Sequence, residues 1–270
     1  MSSLPYELIS LDLDMTLLDR DSRISPRNLA TVRRCTELGA KVVISSGRMH
    51  CTTLQFLDAM GLDTPVISYN GALIKHESTG EVLLHQTVEP SLARELVELC
   101  DAEGVHLNYY VDDTLYIARR GPFADLYAER TTAALIPVGD LRTLTNRAPT
   151  KLLVVDTPQR IEQLFAEWGP RFSDRAYVTT SYIDYLEFMP LGVSKGKALA
   201  ALAAHYGIPQ EKVIAFGDAL NDVPAIAWAG LGVAMANAKP EAKAVAKRIA
   251  PHHAEDGVAV VLEEVFGFGG

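Results

Sequence analysis

Residues 7–18 read ELISLDLDMTLL, a short apolar run (Leu8, Ile9, Leu11, Leu13) that ends in two carboxylates two positions apart, Asp12 and Asp14. Such a run reads as a buried strand. On an extended chain, residues at that spacing point to the same side, so both acids can address one small volume at the strand's carboxyl end. In an open α/β sheet that end is where ligands sit. Two acids so close repel unless a cation neutralises them or one keeps a proton. One could attack phosphorus while the other passes a proton to the leaving group and later takes one from water. Asp is equally at home in turns that cap the next segment, and Asp-x-Asp alone does not separate the two.

The segments that follow repeat the theme. Ser25 and Pro26 open a helix whose apolar face is Leu29, Val32 and Cys35 and which ends before Gly39. A second buried strand, 42–44, runs into Ser45-Ser46-Gly47-Arg48, and a helix over 52–60 leads to a third strand in PVISYNGA. This alternation favours a parallel sheet with helices on both faces. Past Gly71 the rhythm changes: a hairpin (73–76 and 82–85), a helix (90–103), a half-exposed antiparallel pair (105–111 and 114–118) and a weak helix near 123–132. A strand at 151–155, a helix with Ile161, Leu164, Phe165 and Trp168 on one face, and strands at 177–180 and 185–188 complete the stretch. It is expected to form a separate small α+β domain, its antiparallel sheet covered on one face. From Val193 the alternation resumes, with helices over 194–206, 221–229 and 240–247, strands at 213–216 and 231–234, and a last helix from Asp256. The expected division is a core of 1–85 and 189–270 interrupted by 86–188.

Within 270 residues, 48% are hydrophobic and 22% charged, enough apolar material for a sizeable core and consistent with two modest domains. The charge, 25 minus 34 or −9, and the lack of a basic run argue against nucleic-acid and anionic-membrane surfaces. Cys35, Cys51 and Cys100 are odd in number and far apart, so neither a disulfide framework nor a metal cluster is expected. The start lacks the pattern of a signal peptide, and the alanine-rich run 198–204 is too short to span a bilayer. A cytoplasmic protein, monomer or homodimer, is expected.

Four polar clusters follow apolar strands or open helices: Asp12 with Asp14, Ser46-Gly47-Arg48, Ser194-Lys195, and Gly217 to Asp222. In a parallel sheet the three that follow strands lie along one edge, and Lys195 at a helix start can face them. Ser46 and the N–H groups near Gly47 can hold phosphoryl oxygens, Lys195 supplies positive charge, and Asp218 with Asp12 can hold Mg²⁺, a hard cation that prefers oxygen. Each also has a plainer role open to it: a solvated helix residue for Lys195, helix caps for Ser46, Asp218 and Asn221, an exposed loop for His252-His253. No P-loop, dinucleotide fingerprint or nucleophile elbow is present.

In order, DLDMTLL, ISSGR, NGA, GVSKGKAL, FGDALND and EDGVA resemble the haloacid dehalogenase-like superfamily and, within it, the Cof-type phosphatases. The resemblance covers the chain from Asp12 to about Ala259. It implies a Rossmann-like α/β core with an inserted α+β cap that selects the substrate. It implies Asp12 as nucleophile forming an aspartyl-phosphate and Asp14 as general acid and base. Ser46 and Lys195 would bind the phosphoryl group, with Gly47, Arg48, Asn70 and Asn221 also on the substrate. Mg²⁺ would be held by Asp12, the backbone carbonyl of Asp14 and Asp218, with Asn221 and Asp222 supporting the loop. Met15 stands where the family usually has Gly, and Ser46 where Thr is frequent. The expected activity is Mg²⁺-dependent hydrolysis of small phosphorylated metabolites, sugar phosphates foremost. A phosphomutase or phosphotransferase shares the framework. A phospho-accepting signalling domain would need roughly half this length, and a non-catalytic binding protein would not need every catalytic residue type. Arg119, Arg120, Tyr182 and Asp184 are candidate cap residues at strand ends.

Overall fold

The apolar run after Glu7 becomes an interior strand of a parallel sheet, with a neighbouring strand on each edge and helices on both faces. The computed structural model describes residues 4–131 and 133–268. In chain order its first part comprises β1 (Leu8–Leu11), α1 (Pro26–Glu37), β2 (Lys41–Ile44), α2 (His50–Met60), β3 (Val66–Ser68), β4 (Leu73–Lys75) and β5 (Val82–His85). The middle part comprises α3 (Pro90–Glu103), β6 (His106–Val111), β7 (Thr114–Ile117), α4 (Pro122–Thr131), β8 (Leu135–Pro137), β9 (Lys151–Val155), α5 (Pro158–Phe172), β10 (Ala176–Thr179) and β11 (Tyr185–Pro190). The last part comprises α6 (Lys195–His205), β12 (Val213–Gly217), α7 (Val223–Trp228), β13 (Leu231–Met235), α8 (Pro240–Val245), β14 (Arg248–Ala250) and α9 (Gly257–Phe266). Two compact units result: residues up to Leu84 with those from Ser194 onward, and His85–Val193. No helix of the described residues is long and apolar enough to cross a membrane.

In the first unit the sheet order is β14-β13-β12-β1-β2, all parallel. Alternate residues serve opposite layers. Ile9, Leu11, Val42, Ile44, Ile214 and Phe216 face one cluster with α1, α2 and α9, while Leu8, Val43, Val213 and Ala215 face another with α6 and α7. Ser25 caps α1 by accepting from the Asn28 N–H, and Pro26 follows at the first turn, as expected. The third strand departs from expectation. Tyr69 and Asn70 turn left-handed (φ 50° and 56°) and end β3 after three residues. It pairs antiparallel with β4 and meets the parallel sheet through one bridge, Ser45 to Ile67. β14 escaped the sequence because it has three residues and its Ile249 is exposed.

The second unit is a six-stranded sheet, β10-β11-β9-β6-β7-β8. Leu92, Leu96 and Cys100 of α3 and Ile161, Leu164, Trp168 and Phe172 of α5 pack on one face. Three expectations need correction. Phe165 is exposed, so it is not on the buried face of α5. β6 is buried along almost its whole length rather than half-exposed: its second face meets α4, where the Tyr110 hydroxyl donates to that of Tyr127 at 2.6 Å. The sheet is not wholly antiparallel, since β7 and β8 run parallel. The helix near 123–132 is α4; Thr132 lies outside the described residues.

Candidate active site

Parallel register brings three strand ends side by side. Leu11 pairs with Phe216 on one side and Ile44 on the other. The Asp12 N–H donates to the Phe216 carbonyl at 3.3 Å and the Ser45 N–H to the Leu11 carbonyl at 2.8 Å. Asp12, Ser46 and Asp218 thereby leave the sheet along one edge. Lys195 reaches them from the first turn of α6, where Ser194 caps the helix by accepting from the Lys197 N–H. Its ammonium, 1% exposed, donates to Asp12 Oδ1 and to Asp222 Oδ1, each at 2.6 Å. The solvated-helix role is therefore excluded.

Two glycines permit this. At Gly196, a Cβ would lie 2.4 Å from the Pro224 carbonyl oxygen, so only a residue without a side chain lets α6 approach the start of α7. At Gly217, a Cβ would lie 2.4 Å from that of Asp222. Asp222 uses both its oxygens: Oδ1 accepts from Lys195, and Oδ2 from the Asp218 and Ala219 N–H groups at 3.0 Å each. It ties the loop after β12 to the lysine.

The two acids of Asp-x-Asp part company. β1 stops at Leu11, and 13–17 form a wide turn with the Leu18 N–H donating to the Leu13 carbonyl at 2.9 Å. The same-side argument for an extended chain does not extend to Asp14. Asp12 is buried, whereas the Asp14 side chain is 51% exposed and takes two bonds from Arg48, at 2.9 and 2.5 Å. Met15 makes the bend at φ 58°.

Ser46 is buried and accepts from the Arg48 N–H at 3.2 Å, closing a local turn rather than capping α2, whose N-cap is Met49. Asn221 donates to Asn70 Oδ1 at 2.8 Å, and the same Oδ1 would lie 2.7 Å from a Cβ at Gly47. Ser46, Gly47, Asn70 and Asn221 thus adjoin one another. His253 is buried, its Nδ1 3.2 Å from the Leu18 carbonyl oxygen, so His252-His253 is not simply an exposed loop. Of the cap candidates, Arg120 pairs with Asp125 and Asp184 with Arg130, while Tyr182 is exposed.

Asp12, Asp218 and Asp222 each offer a carboxylate oxygen within 4.8 Å of the others. One ammonium stands against three carboxylates. Burial pushes the Asp12 carboxyl well above its ordinary range and Asp222 adds to this, with Lys195 opposing. Burial, again with Asp222, pushes Asp218 up to about 6. Lys195 is pushed up: burial would lower it, but Asp12 and Asp222 outweigh burial. Oxygen donors with a surplus of negative charge fit a hard divalent cation. Asp12 and Asp218 are the better placed to serve it, because both Asp222 oxygens are engaged.

A sequence model of the family described as haloacid dehalogenase-like hydrolase matches residues 9–262. The chain is 32% identical over 275 residues to a Bacillus subtilis 5-amino-6-(5-phospho-D-ribitylamino)uracil phosphatase, covering 98% of this chain and 99% of that one. It is 31% identical to an HMP-PP phosphatase of an Enterobacter species, covering 87% and 85%. The crystal structure of a haloacid dehalogenase-like hydrolase from Bacteroides thetaiotaomicron superposes with a TM-score of 0.90 at 29% identity, covering 97% of this chain and all of that one.

Proposed function

Because the chain belongs to the haloacid dehalogenase-like hydrolase family, we propose that it is a divalent-cation-dependent phosphatase of small phosphorylated metabolites, sugar phosphates among them, working through an aspartyl-phosphate on Asp12. The observation that carries this reading is the buried Asp12 carboxylate held by Lys195 at the carboxyl edge of the sheet beside Asp218. Relatives named as phosphatases support it.

In this reading a carboxylate oxygen of Asp12 attacks phosphorus, the ester P–O bond breaks, and Asp14 in its acid form gives its proton to the departing oxygen. Water then attacks the aspartyl-phosphate, Asp14 takes the water's proton, and phosphate leaves with Asp12 restored. Lys195 and Ser46 hold the phosphoryl oxygens, with Gly47, Asn70 and Asn221 beside Ser46 and Arg48 on Asp14 or on the substrate. Asp12, Asp218 and the Asp14 backbone carbonyl would hold Mg²⁺, which supplies positive charge against the anionic ester. The unit His85–Val193 is proposed as the cap that selects the leaving group.

The test is phosphate release from a panel of phosphorylated metabolites, with and without Mg²⁺. Asp12→Asn should abolish turnover while the folded state persists, because an amide keeps the shape but cannot attack phosphorus. Substantial residual release would overturn the assignment, and transfer to a second sugar without free phosphate would mark a phosphotransferase instead.

A further inference from the structure

The turn that carries Asp14 rests on a residue in a conformation L side chains avoid. Met15 sits at φ 58°, ψ 15°, left-handed, a strained conformation for a side chain of this size. Something must hold it there. The Met15 carbonyl oxygen accepts from Asn237 Nδ2 at 2.8 Å, and Asn237 Oδ1 accepts from the His253 N–H at 3.1 Å. The partners settle the amide's orientation, since a carbonyl can only accept and an N–H only donate. His253 adds a second hold: its Nδ1 faces the Leu18 carbonyl, so Nδ1 carries the hydrogen. Segments more than two hundred residues downstream thus grip the turn at Met15 and at Leu18, on either side of its last residues.

We propose that Asn237 is a positioning residue for hydrolysis: its amide keeps Met15 left-handed and thereby sets the carboxyl of Asp14, one residue earlier, where it can exchange a proton with the leaving group. The inference rests on the reading of Asp14 as general acid and base. Asn237 itself touches no reacting atom. Its two bonds are separable. Aspartate would retain the acceptor for His253 but set oxygen against the oxygen of Met15; alanine would lose both. Glycine in place of Met15 would adopt the left-handed backbone unaided, so the need for the amide donor should fall.

The experiment measures kcat and KM for the full chain, on the alkyl phosphate that the unaltered protein hydrolyses fastest, for Asn237→Ala, Asn237→Asp, Met15→Gly, Asp12→Asn and Met15→Gly combined with Asn237→Ala. Asn237→Ala and Asn237→Asp should each lower kcat about tenfold or more with KM nearly unchanged, the mark of a displaced group rather than a lost binding contact. In the Met15→Gly background the same Asn237→Ala change should cost much less. An equal factor in both backgrounds overturns the proposal, as does a KM rise with kcat intact or a fall in melting temperature with no change in kcat. If Asp12→Asn is dead but Met15 and Asn237 show no coupling, the positioning role alone fails. If the unaltered protein releases no phosphate from any ester, the functional reading fails with it.

Discussion

Lys195 is one cation among three carboxylates, and the imbalance has consequences that can be measured without turnover. Asp218 binds a proton in the fold up to about pH 6 against an ordinary 3.8. Without a cation its contribution to stability is fully present at low pH and is lost as pH rises through this window, because the folded state then holds the proton more tightly than the unfolded one. A divalent cation held there, as proposed, would relieve the cost by binding the ionised form and would compete with protons below this pH. Mg²⁺ should therefore raise the melting temperature at pH 7.5 and have little effect at pH 5, as read by thermal denaturation. An equal effect at both would count against Asp218 as a ligand of the proposed cation. Arg48 poses a second question at this scale, since its two bonds go to Asp14. If it orients the acid, Arg48→Gln should slow alkyl phosphates about 10²-fold, within the usual range for general acid catalysis. It should largely spare p-nitrophenyl phosphate, whose leaving group departs without a proton. A comparable KM rise on both esters would make Arg48 a phosphoryl ligand.

At the scale of elements, the site depends on how closely strand ends and helix starts approach. Gly217 closes β12 with no room for a methyl group beside Asp222, whose side chain fastens the following loop and Lys195. Gly217→Ala should destabilise the protein by about 1–3 kcal/mol, the usual penalty for overpacking, and should also depress activity as Asp222 is pushed from the lysine. Denaturant unfolding and a phosphatase assay check both effects. A variant with unchanged midpoint and rate would show that the loop yields freely.

For the molecule as a whole, each unit has its own apolar cluster, and the chain passes between them only around Leu84–His85 and Val193–Ser194. A unit with its own core can be removed without emptying the other's. Replacing 85–193 with a short linker should leave slow, Mg²⁺-dependent hydrolysis of a small aryl phosphate and erase preference among natural phosphates, provided that the trimmed chain stays soluble. A trimmed protein that keeps the full substrate ranking would show that loops of the first unit set selectivity.

Much of this was written in local pattern. Buried apolar runs, the Ser25-Pro26 helix start and the break in rhythm after Gly71 are read from spacing, because strand and helix periodicities and cap chemistry act over a few residues. The short strands β8 and β14 carry too few residues to show a period, and burial of β6 on both faces depends on α4 packing against it, a placement that no local pattern reveals. The candidate site divides the same way. Asp12, Ser46, Lys195 and Asp218 stand out by residue type at the ends of predicted elements. That Lys195 is sealed between Asp12 and Asp222, that Asp14 turns away to Arg48, and that Asn237 and His253 hold the turn at Met15 and Leu18 were decided by tertiary structure alone. The physical reason is range: a strand or a cap is set by neighbours in sequence, whereas the partners of a buried charge or a left-handed carbonyl are set by which strands lie side by side, and here those partners lie tens to hundreds of residues apart.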